Sequence, residues 1–201
     1  MNAPLSARPL WLDLVHGAFG FALVSVAAFS VWAFASPFFK DFGGELGMYA
    51  AIAAVFLALS GLALGPLAGG MGRFYKAFLP AFLLYSVVWC SAWFGLKGRT
   101  GEWVGIAAGS LVFTLVSMAV LGSTRRWLMA ALTLFILQAA GYFAGDWAMY
   151  DVWLSKENLA GLKKVDKTQA ALLGKLSWGL FYGLGFGAGI GVVFRRARVG
   201  A

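Results

Sequence analysis

Six long stretches of this chain contain no Asp, Glu, Lys or Arg, and this pattern constrains the fold more than any other feature. The stretches are residues 14–39, 46–72, 77–96, 103–124, 127–145 and 176–194. A helix needs about 20 apolar residues to cross the roughly 30 Å hydrocarbon core of a bilayer. We therefore predict an all-α, polytopic integral membrane protein with six transmembrane helices.

The composition favours a single membrane domain over residues 1–201. Hydrophobic residues make up 61 % of the chain and charged residues only 12 %, against about 25 % charged residues in ordinary soluble domains. Backbone N–H and C=O groups must be paired inside hydrocarbon, which a helix achieves internally. The longest connection, residues 146–175, leaves little room for a soluble domain.

The distribution of cations predicts the orientation. With six spans both termini lie on one side, and if that side is cytoplasmic the lysines and arginines divide eight inside against eight outside. Short loops carry more of the positive-inside signal than long ones, and omitting the five lysines of 146–175 leaves eight against three. We expect cytoplasmic termini in a bacterial inner (plasma) membrane, with the inner arginines against anionic lipid headgroups.

The first stretch raises the question of a signal peptide, because Ala33-Phe34-Ala35 has the small-x-small pattern of a cleavage site. The apolar stretch is too long for a signal peptide and is preceded by a single cation, Arg8. We therefore expect the first helix to be retained.

Glycines at four-residue spacing predict how the helices pack, since small residues let helices approach closely in lipid. The expected packing glycines are Gly61 and Gly65, then Gly101, Gly105 and Gly109, and finally Gly179, Gly183, Gly187 and Gly191. The sixth stretch thus resembles a glycine zipper. Its glycine face can receive another helix of the same chain or a second copy in a homo-oligomer, and the sequence leaves both open.

A line of polar residues on the fifth stretch is the best candidate for a site. Gln138, Tyr142 and Asp146 follow at i, i+4 and i+8 and so share one helix face. An amide deep in the bilayer is unfavourable unless it finds a partner. Lys175, at the start of the sixth stretch, is expected to pair with Asp146.

Aromatic residues on the third stretch, Tyr85, Trp89 and Trp93, repeat at the same spacing. Together with the polar line they predict an outward-facing pocket for a small neutral or cationic solute. The alternative is that Gln138 only bonds a neighbouring helix and the rings only pack, since such hydrogen bonds need no ligand.

Two further groups of polar residues are expected to have ordinary roles. Ser110, Thr114 and Ser117 on the fourth stretch could line a narrow pore, but we expect their hydroxyls to bond their own helix carbonyls. His16 and Asp13 are expected to form a solvated pair at the inner edge of the first stretch, rather than a proton relay or a haem site.

The connection 146–175 is expected to include a short amphipathic helix on the outer surface. Trp147, Tyr150 and Trp153 recur at helical spacing, and Lys163 and Lys164 follow them. Such a pattern is typical of a helix lying in the plane of the membrane interface.

No motif points to catalysis. The chain has no intramembrane pair of carboxylates, no histidine cluster, no Gly-x-Ser-x-Gly and only one cysteine, Cys90. We therefore expect no enzyme activity, no metal and no cofactor, and no nucleic-acid partner, since no basic soluble face is predicted. Two functions remain: a compact transporter or channel-like bundle for a small solute, or a non-catalytic structural subunit or assembly factor of a larger membrane complex.

Overall fold

The computed structural model describes residues 9–199, and within this range all regular structure is helical. The elements in chain order are α1 (Leu10–Asp41), α2 (Gly44–Ala68), α3 (Met71–Leu96), α4 (Gly98–Val120), α5 (Trp127–Trp147), a π-helical segment (Ala148–Trp153), α6 (Lys156–Leu159) and α7 (Lys164–Val199). Six of the helices are long and apolar enough to cross a membrane. This agrees with the predicted all-α class and six spans. Arg8, one of the cations used to predict the orientation, lies outside the described residues.

Very short turns connect the first four helices. Phe42 and Gly43 join α1 to α2, and Lys97 alone separates α3 from α4. Gly43 takes a left-handed conformation with φ 81°, which glycine adopts without a Cβ penalty. Such turns force consecutive helices to lie side by side and antiparallel.

Both ends of the described chain lie at the same end of the bundle. Asp13, near the start of α1, has its carboxylate 2.6 Å from the guanidinium of Arg198, near the end of α7. We call this the terminal end and the opposite one the far end.

The last helix, α7, is the central one. It packs most extensively against α1 and α5 and also reaches α2 and α4. In its most apolar stretch 56 % of the residues are buried, against at most 44 % in the other spans.

Glycines bring the backbone of α7 into direct contact with its neighbours. A Cβ added at Gly187 would collide with the carbonyl oxygen of Gly17 on α1, and one at Gly183 would lie 2.6 Å from the Cα of Ala22. Gly179 and Gly191 face α1 as well. On another side of α7, Gly185 lies against Gly141 of α5, where a Cβ would be 2.8 Å from the Gly141 Cα.

The glycines of α4 lie against the aromatic residues of α3. The pairs are Gly109 with Tyr85, Gly105 with Trp89, and Gly101 with Trp93. A Cβ at Gly109 would lie 2.7 Å from Cδ2 of the Tyr85 ring. The missing side chains of α4 therefore make room for the rings of α3.

Glycines play the same part between α2 and α3. Gly61 lies under the ring of Tyr75, whose hydroxyl donates to the carbonyl oxygen of Ala58 at 2.7 Å. A Cβ at Gly65 would lie 3.2 Å from the Cα of Met71.

Phenylalanine rings fill the centre of the bundle. Phe21, Phe78, Phe113 and Phe186 come from four different helices and are completely buried. The ring centroids of Phe113 and Phe186 are 5.4 Å apart, and those of Phe21 and Phe186 are 5.3 Å apart. The rings therefore pack against one another across the centre of the bundle.

The connection expected over residues 146–175 is largely helical. α5 passes directly into the π-helical segment, and α7 already begins at Lys164, well before the expected start of the sixth span. The indole nitrogen of Trp153 donates to the hydroxyl of Ser177 at 3.0 Å, which ties the π-helical segment to α7.

Candidate functional site

A chain of four hydrogen-bonded side chains crosses the interior of the bundle. The Ser110 hydroxyl donates to the Gln138 amide oxygen at 2.9 Å, and the Gln138 amide nitrogen donates to the Tyr85 hydroxyl at 2.5 Å. The Tyr85 hydroxyl lies 3.2 Å from that of Tyr182. Ser110 and Gln138 are fully buried. The chain joins α4, α5, α3 and α7, and we call it the central polar chain.

Several of these contacts differ from the sequence prediction. Gln138 and Tyr85 were both predicted site residues, and the structure brings them together. Ser110 was expected to bond its own helix, which is wrong, because it donates to Gln138. Tyr182 was missed, since nothing in the sequence signals that it meets Tyr85 from a distant position in the chain.

A cluster of aromatic rings adjoins the central polar chain on its far-end side. The ring centroids of Trp89 and Tyr142 are 6.2 Å apart, Trp89 stacks on Trp93 at 6.0 Å, and Tyr142 meets Trp178 at 5.5 Å. The predicted polar line and the predicted aromatic line therefore meet at Trp89 and Tyr142. Trp178 was not anticipated.

The Trp89 indole nitrogen is buried and has no hydrogen-bond partner among the described residues. A buried N–H without a partner is unfavourable, since it has lost its water without replacement. The indole edge packs against Gly105 of α4, where an added Cβ would lie 3.3 Å from this nitrogen, so a ligand could reach the N–H only if α3 and α4 moved apart.

Two buried hydroxyls follow Ser110 along α4 toward the terminal end. Thr114 and Ser117 are completely buried, and neither side-chain oxygen has a hydrogen-bond partner within residues 9–199. Their predicted bonding to carbonyls of their own helix is therefore wrong. They extend the line of polar groups beside the phenylalanine layer.

An exposed charge cluster lies at the far end. The Arg99 guanidinium pairs with Glu102 at 3.1 Å and Asp146 at 2.8 Å, and it lies 5.2 Å from the Phe143 ring centroid. The Arg99 side chain is 63 % exposed, while each carboxylate is 15 % exposed. The cluster joins α4 to α5.

The predicted pair between Asp146 and Lys175 is wrong. Asp146 pairs with Arg99, whereas the Lys175 ammonium donates to the Trp32 carbonyl oxygen at 3.2 Å and lies 4.9 Å from the Trp32 ring centroid. Lys175 thus joins α7 to α1, on the other side of the bundle. It does not belong to the site.

A second charge cluster, at the terminal end, is buried. The Asp13 carboxylate is completely buried and accepts from Arg198 at 2.6 Å and Arg195 at 3.3 Å. Arg198 also donates to the carbonyl oxygen of Leu67 on α2. The expected solvated pair of Asp13 with His16 is wrong, because the His16 ring nitrogen lies 2.8 Å from the carbonyl oxygen of Ala63.

Comparison with models of protein families, with curated proteins and with solved structures finds no match to this chain. Over residues 9–199 no group of three or more His, Cys, Asp or Glu side chains is arranged to hold a metal ion. The six long apolar helices define the class: a polytopic membrane protein.

Proposed function

We propose that the protein carries a small polar solute across a membrane through the centre of its helix bundle. The observation that carries the proposal is the central polar chain of Ser110, Gln138, Tyr85 and Tyr182, drawn from four helices, with the unpartnered Trp89 N–H beside it. Polar groups are rare within transmembrane bundles and concentrate where substrates pass.

The lining of the proposed site indicates the solute. Trp89 offers a hydrogen-bond donor, and the faces of Trp89, Tyr142 and Trp178 supply aromatic walls. Such walls attract cations and pack against small neutral molecules. No charged side chain belongs to the central polar chain, so we propose a neutral or monocationic solute with at least one hydrogen-bond acceptor.

The packed phenylalanine layer favours a carrier over a permanently open channel. Phe78, Phe113 and Phe186 lie between the central polar chain and the terminal end and are completely buried. Passage therefore requires helices to move apart there. On the opposite side the exposed Arg99 cluster is easier to open, because surface ion pairs contribute only about 0–1 kcal/mol.

The test is solute binding followed by uptake. Purified protein in detergent is heated with millimolar urea, glycerol or choline, too dilute for a general denaturant or osmolyte effect, and a solute that raises the unfolding temperature is then followed into protein-containing vesicles. A ligand that binds only the folded state stabilises it by RT ln(1 + [L]/Kd). The proposal predicts that at least one solute of this class both stabilises the protein and enters the vesicles.

Two tryptophan variants distinguish a loss of solute binding at the proposed site from a general effect of removing an indole. Trp89→Phe keeps a ring and removes the indole N–H, and we expect it to weaken solute binding about tenfold, as for a lost hydrogen bond of roughly 1.4 kcal/mol. Trp103→Phe is the control, since Trp103 is 46 % exposed on the outside of the bundle. Equal effects of the two variants, or no binding by any solute tested, would contradict the proposal.

A second candidate, an accessory subunit or assembly factor, is favoured by one surface feature. A groove of about 300 Å³ between α4 and α5 is lined by Trp103, Phe135, Ile136, Ala139, Ala140 and Phe143. Alanines flanked by aromatic rings suit a helix of another membrane protein, because small residues permit close approach. Consistent co-purification of the same other chain, abolished by Ala139→Leu and Ala140→Leu, would support this candidate over transport.

The glycine-rich faces of α7 bear on whether the protein forms a homo-oligomer. Since Gly183 and Gly187 lie against Ala22 and Gly17 of the same chain, we propose that this glycine zipper packs the protomer rather than joining two copies. Leucine at both glycines should then unfold the protomer. A folded monomer released from an oligomer would instead show that the zipper faces a second copy.

We propose that both termini lie on the cytoplasmic side of a bacterial inner membrane. The arginines of the terminal end then face anionic headgroups, and the segment from Ala148 to Leu159 lies at the outer interface. In a Cys90→Ala background, we expect Lys97→Cys to react with an impermeant thiol reagent added outside intact cells. Arg126→Cys should react only after the cells are broken. The opposite pattern would invert the topology.

A further inference from the structure

Three arginines line one cleft at the terminal end of the bundle. Arg125 and Arg126 end the connection between α4 and α5, and Arg196 lies in the last turns of α7. Together with Val199 they surround a cleft of about 160 Å³. We call it the arginine cleft.

Within residues 9–199, no carboxylate pairs with an arginine of the arginine cleft. Among the ion pairs of the described residues, none involves Arg125, Arg126 or Arg196. Asp13 is the acidic residue at this end, and its carboxylate already pairs with Arg195 and Arg198. The other acidic residues belong to the far end, where α1, α3 and α5 finish and α2, α4 and α7 begin.

Two helix ends of opposite dipole meet at the cleft, because α5 begins beside Arg126 and α7 ends at Val199. Arg126 is the N-cap of α5, with φ 59° in the left-handed region, a conformation that residues other than glycine seldom adopt. The first turn of α5 follows directly, and the positive end of the helix dipole there favours an anion, while the N–H groups of Trp127 and Met129 already donate to the carbonyl oxygens of Thr124 and Arg126.

We propose that the arginine cleft binds a phosphate group, carried by a lipid headgroup or free in solution. A guanidinium matches phosphate with two parallel N–H···O bonds, which gives these pairs their strength and direction. Leu128 and Met129, in the first turn of α5, are each 58 % exposed and offer apolar surface to the acyl chains of a bound lipid. The site is separate from the central polar chain, so transport and phosphate binding can fail independently.

The experiment measures stabilisation by two phosphate sources. The full chain in neutral detergent is heated with inorganic phosphate against chloride at equal ionic strength. In a second arm it is heated in nanodiscs of phosphatidylglycerol against phosphatidylcholine. We expect a higher unfolding temperature with inorganic phosphate or with phosphatidylglycerol, whose phosphate, unlike that of phosphatidylcholine, has no choline cation beside it. A response to phosphatidylglycerol alone identifies a lipid site, and a response to inorganic phosphate identifies a site for soluble anions.

A matched pair of double variants tests the cleft itself. Arg125→Gln with Arg196→Gln removes two charges from the cleft. We expect the rise in unfolding temperature caused by the phosphate source to become at least tenfold smaller. Arg73→Gln with Lys76→Gln removes two exposed charges at the same end, on α3, and should leave the response within twofold. If the first variant does not fold, Arg125→Lys with Arg196→Lys replaces it, with a loss of at least threefold expected from the missing bidentate geometry.

Two results would overturn the proposal. The first is that neither phosphate source raises the unfolding temperature of the native chain. The second is an equal loss in the cleft variant and the α3 variant, which would leave only a general attraction between basic residues and anionic headgroups.

Discussion

The two ends of the bundle use the same chemistry, arginine against carboxylate, in opposite settings. At the terminal end the Asp13 carboxylate is completely buried and the Arg198 side chain is 5 % exposed. At the far end the Arg99 side chain is 63 % exposed. The terminal cluster joins α1, α2 and α7, whereas the far cluster joins only α4 and α5.

The difference in burial decides what each cluster can do. Removing one partner from a buried pair leaves an uncompensated charge and costs about 3–5 kcal/mol, while an exposed pair contributes about 0–1 kcal/mol. The terminal cluster therefore holds the helices together, and the far cluster can open at little cost. If the protein moves a solute, the far end is the side that yields first.

The largest expected effect comes from breaking the terminal cluster. Asp13→Ala removes the buried carboxylate that Arg198 and Arg195 both contact and should lower the free energy of unfolding by about 3–5 kcal/mol. Tryptophan fluorescence during unfolding in mixed micelles of increasing denaturing detergent measures it. A loss below about 1 kcal/mol would place this cluster in the same class as the exposed one.

The second largest effect is expected from a glycine variant in the contact between α1 and α7, away from the terminal end. Gly187→Leu puts a side chain against the carbonyl of Gly17 and should cost about 1–3 kcal/mol or more, as overpacking does. Gly72→Leu is the control, because a Cβ there meets nothing within 4 Å. Similar unfolding curves for both variants would show that the glycine contact adds no rigidity.

Between the two ends, Gln138→Leu removes the hydrogen bonds to Ser110 and Tyr85. Hydrogen bonds between membrane helices contribute about 0.6 kcal/mol each on average, so the stability loss should be near 1 kcal/mol. Solute binding should fall more than stability does. Unchanged binding by a destabilised protein would reduce the central polar chain to a structural link.

The smallest effect is expected at the far end. Asp146→Asn removes one of the two carboxylates of Arg99 and should change the free energy of unfolding by less than about 1 kcal/mol. Because salt screens exposed charges, this difference should shrink from low salt to 1 M NaCl. The effect of Asp13→Ala should stay constant over the same range. Equal salt dependence at both ends would remove the contrast between them.

Much of the fold could be predicted from the sequence, because hydrocarbon imposes one rule on every span. Charge-free length predicts six helices, and glycine spacing indicates which faces approach closely. The spacing could not say that Gly187 meets Gly17, since both a second copy and another helix satisfy the same pattern. The helical start of α7 at Lys164 was missed because its first turns carry lysines, which a span search excludes.

The candidate site was predictable only where its residues share a helix. Gln138 with Tyr142, and Tyr85 with Trp89, follow from four-residue spacing. The contact of Tyr182 with Tyr85 and the pairing of Asp13 with Arg195 and Arg198 could not be predicted. These contacts join α7 to distant parts of the chain and depend on which helix lies in the centre. Sequence position alone suggested His16 for Asp13 and Lys175 for Asp146, whereas the packing supplies arginines from other helices.

The central position of α7 has a consequence for biogenesis. Of the six spans it is the last to leave the ribosome, yet α1 and α5 both pack against it. The first five spans therefore enter the bilayer before their central partner is present, and the short turns between them hold them together. Insertion of α7 fills the centre of the bundle, so nascent chains stalled before Lys164 should be quickly degraded.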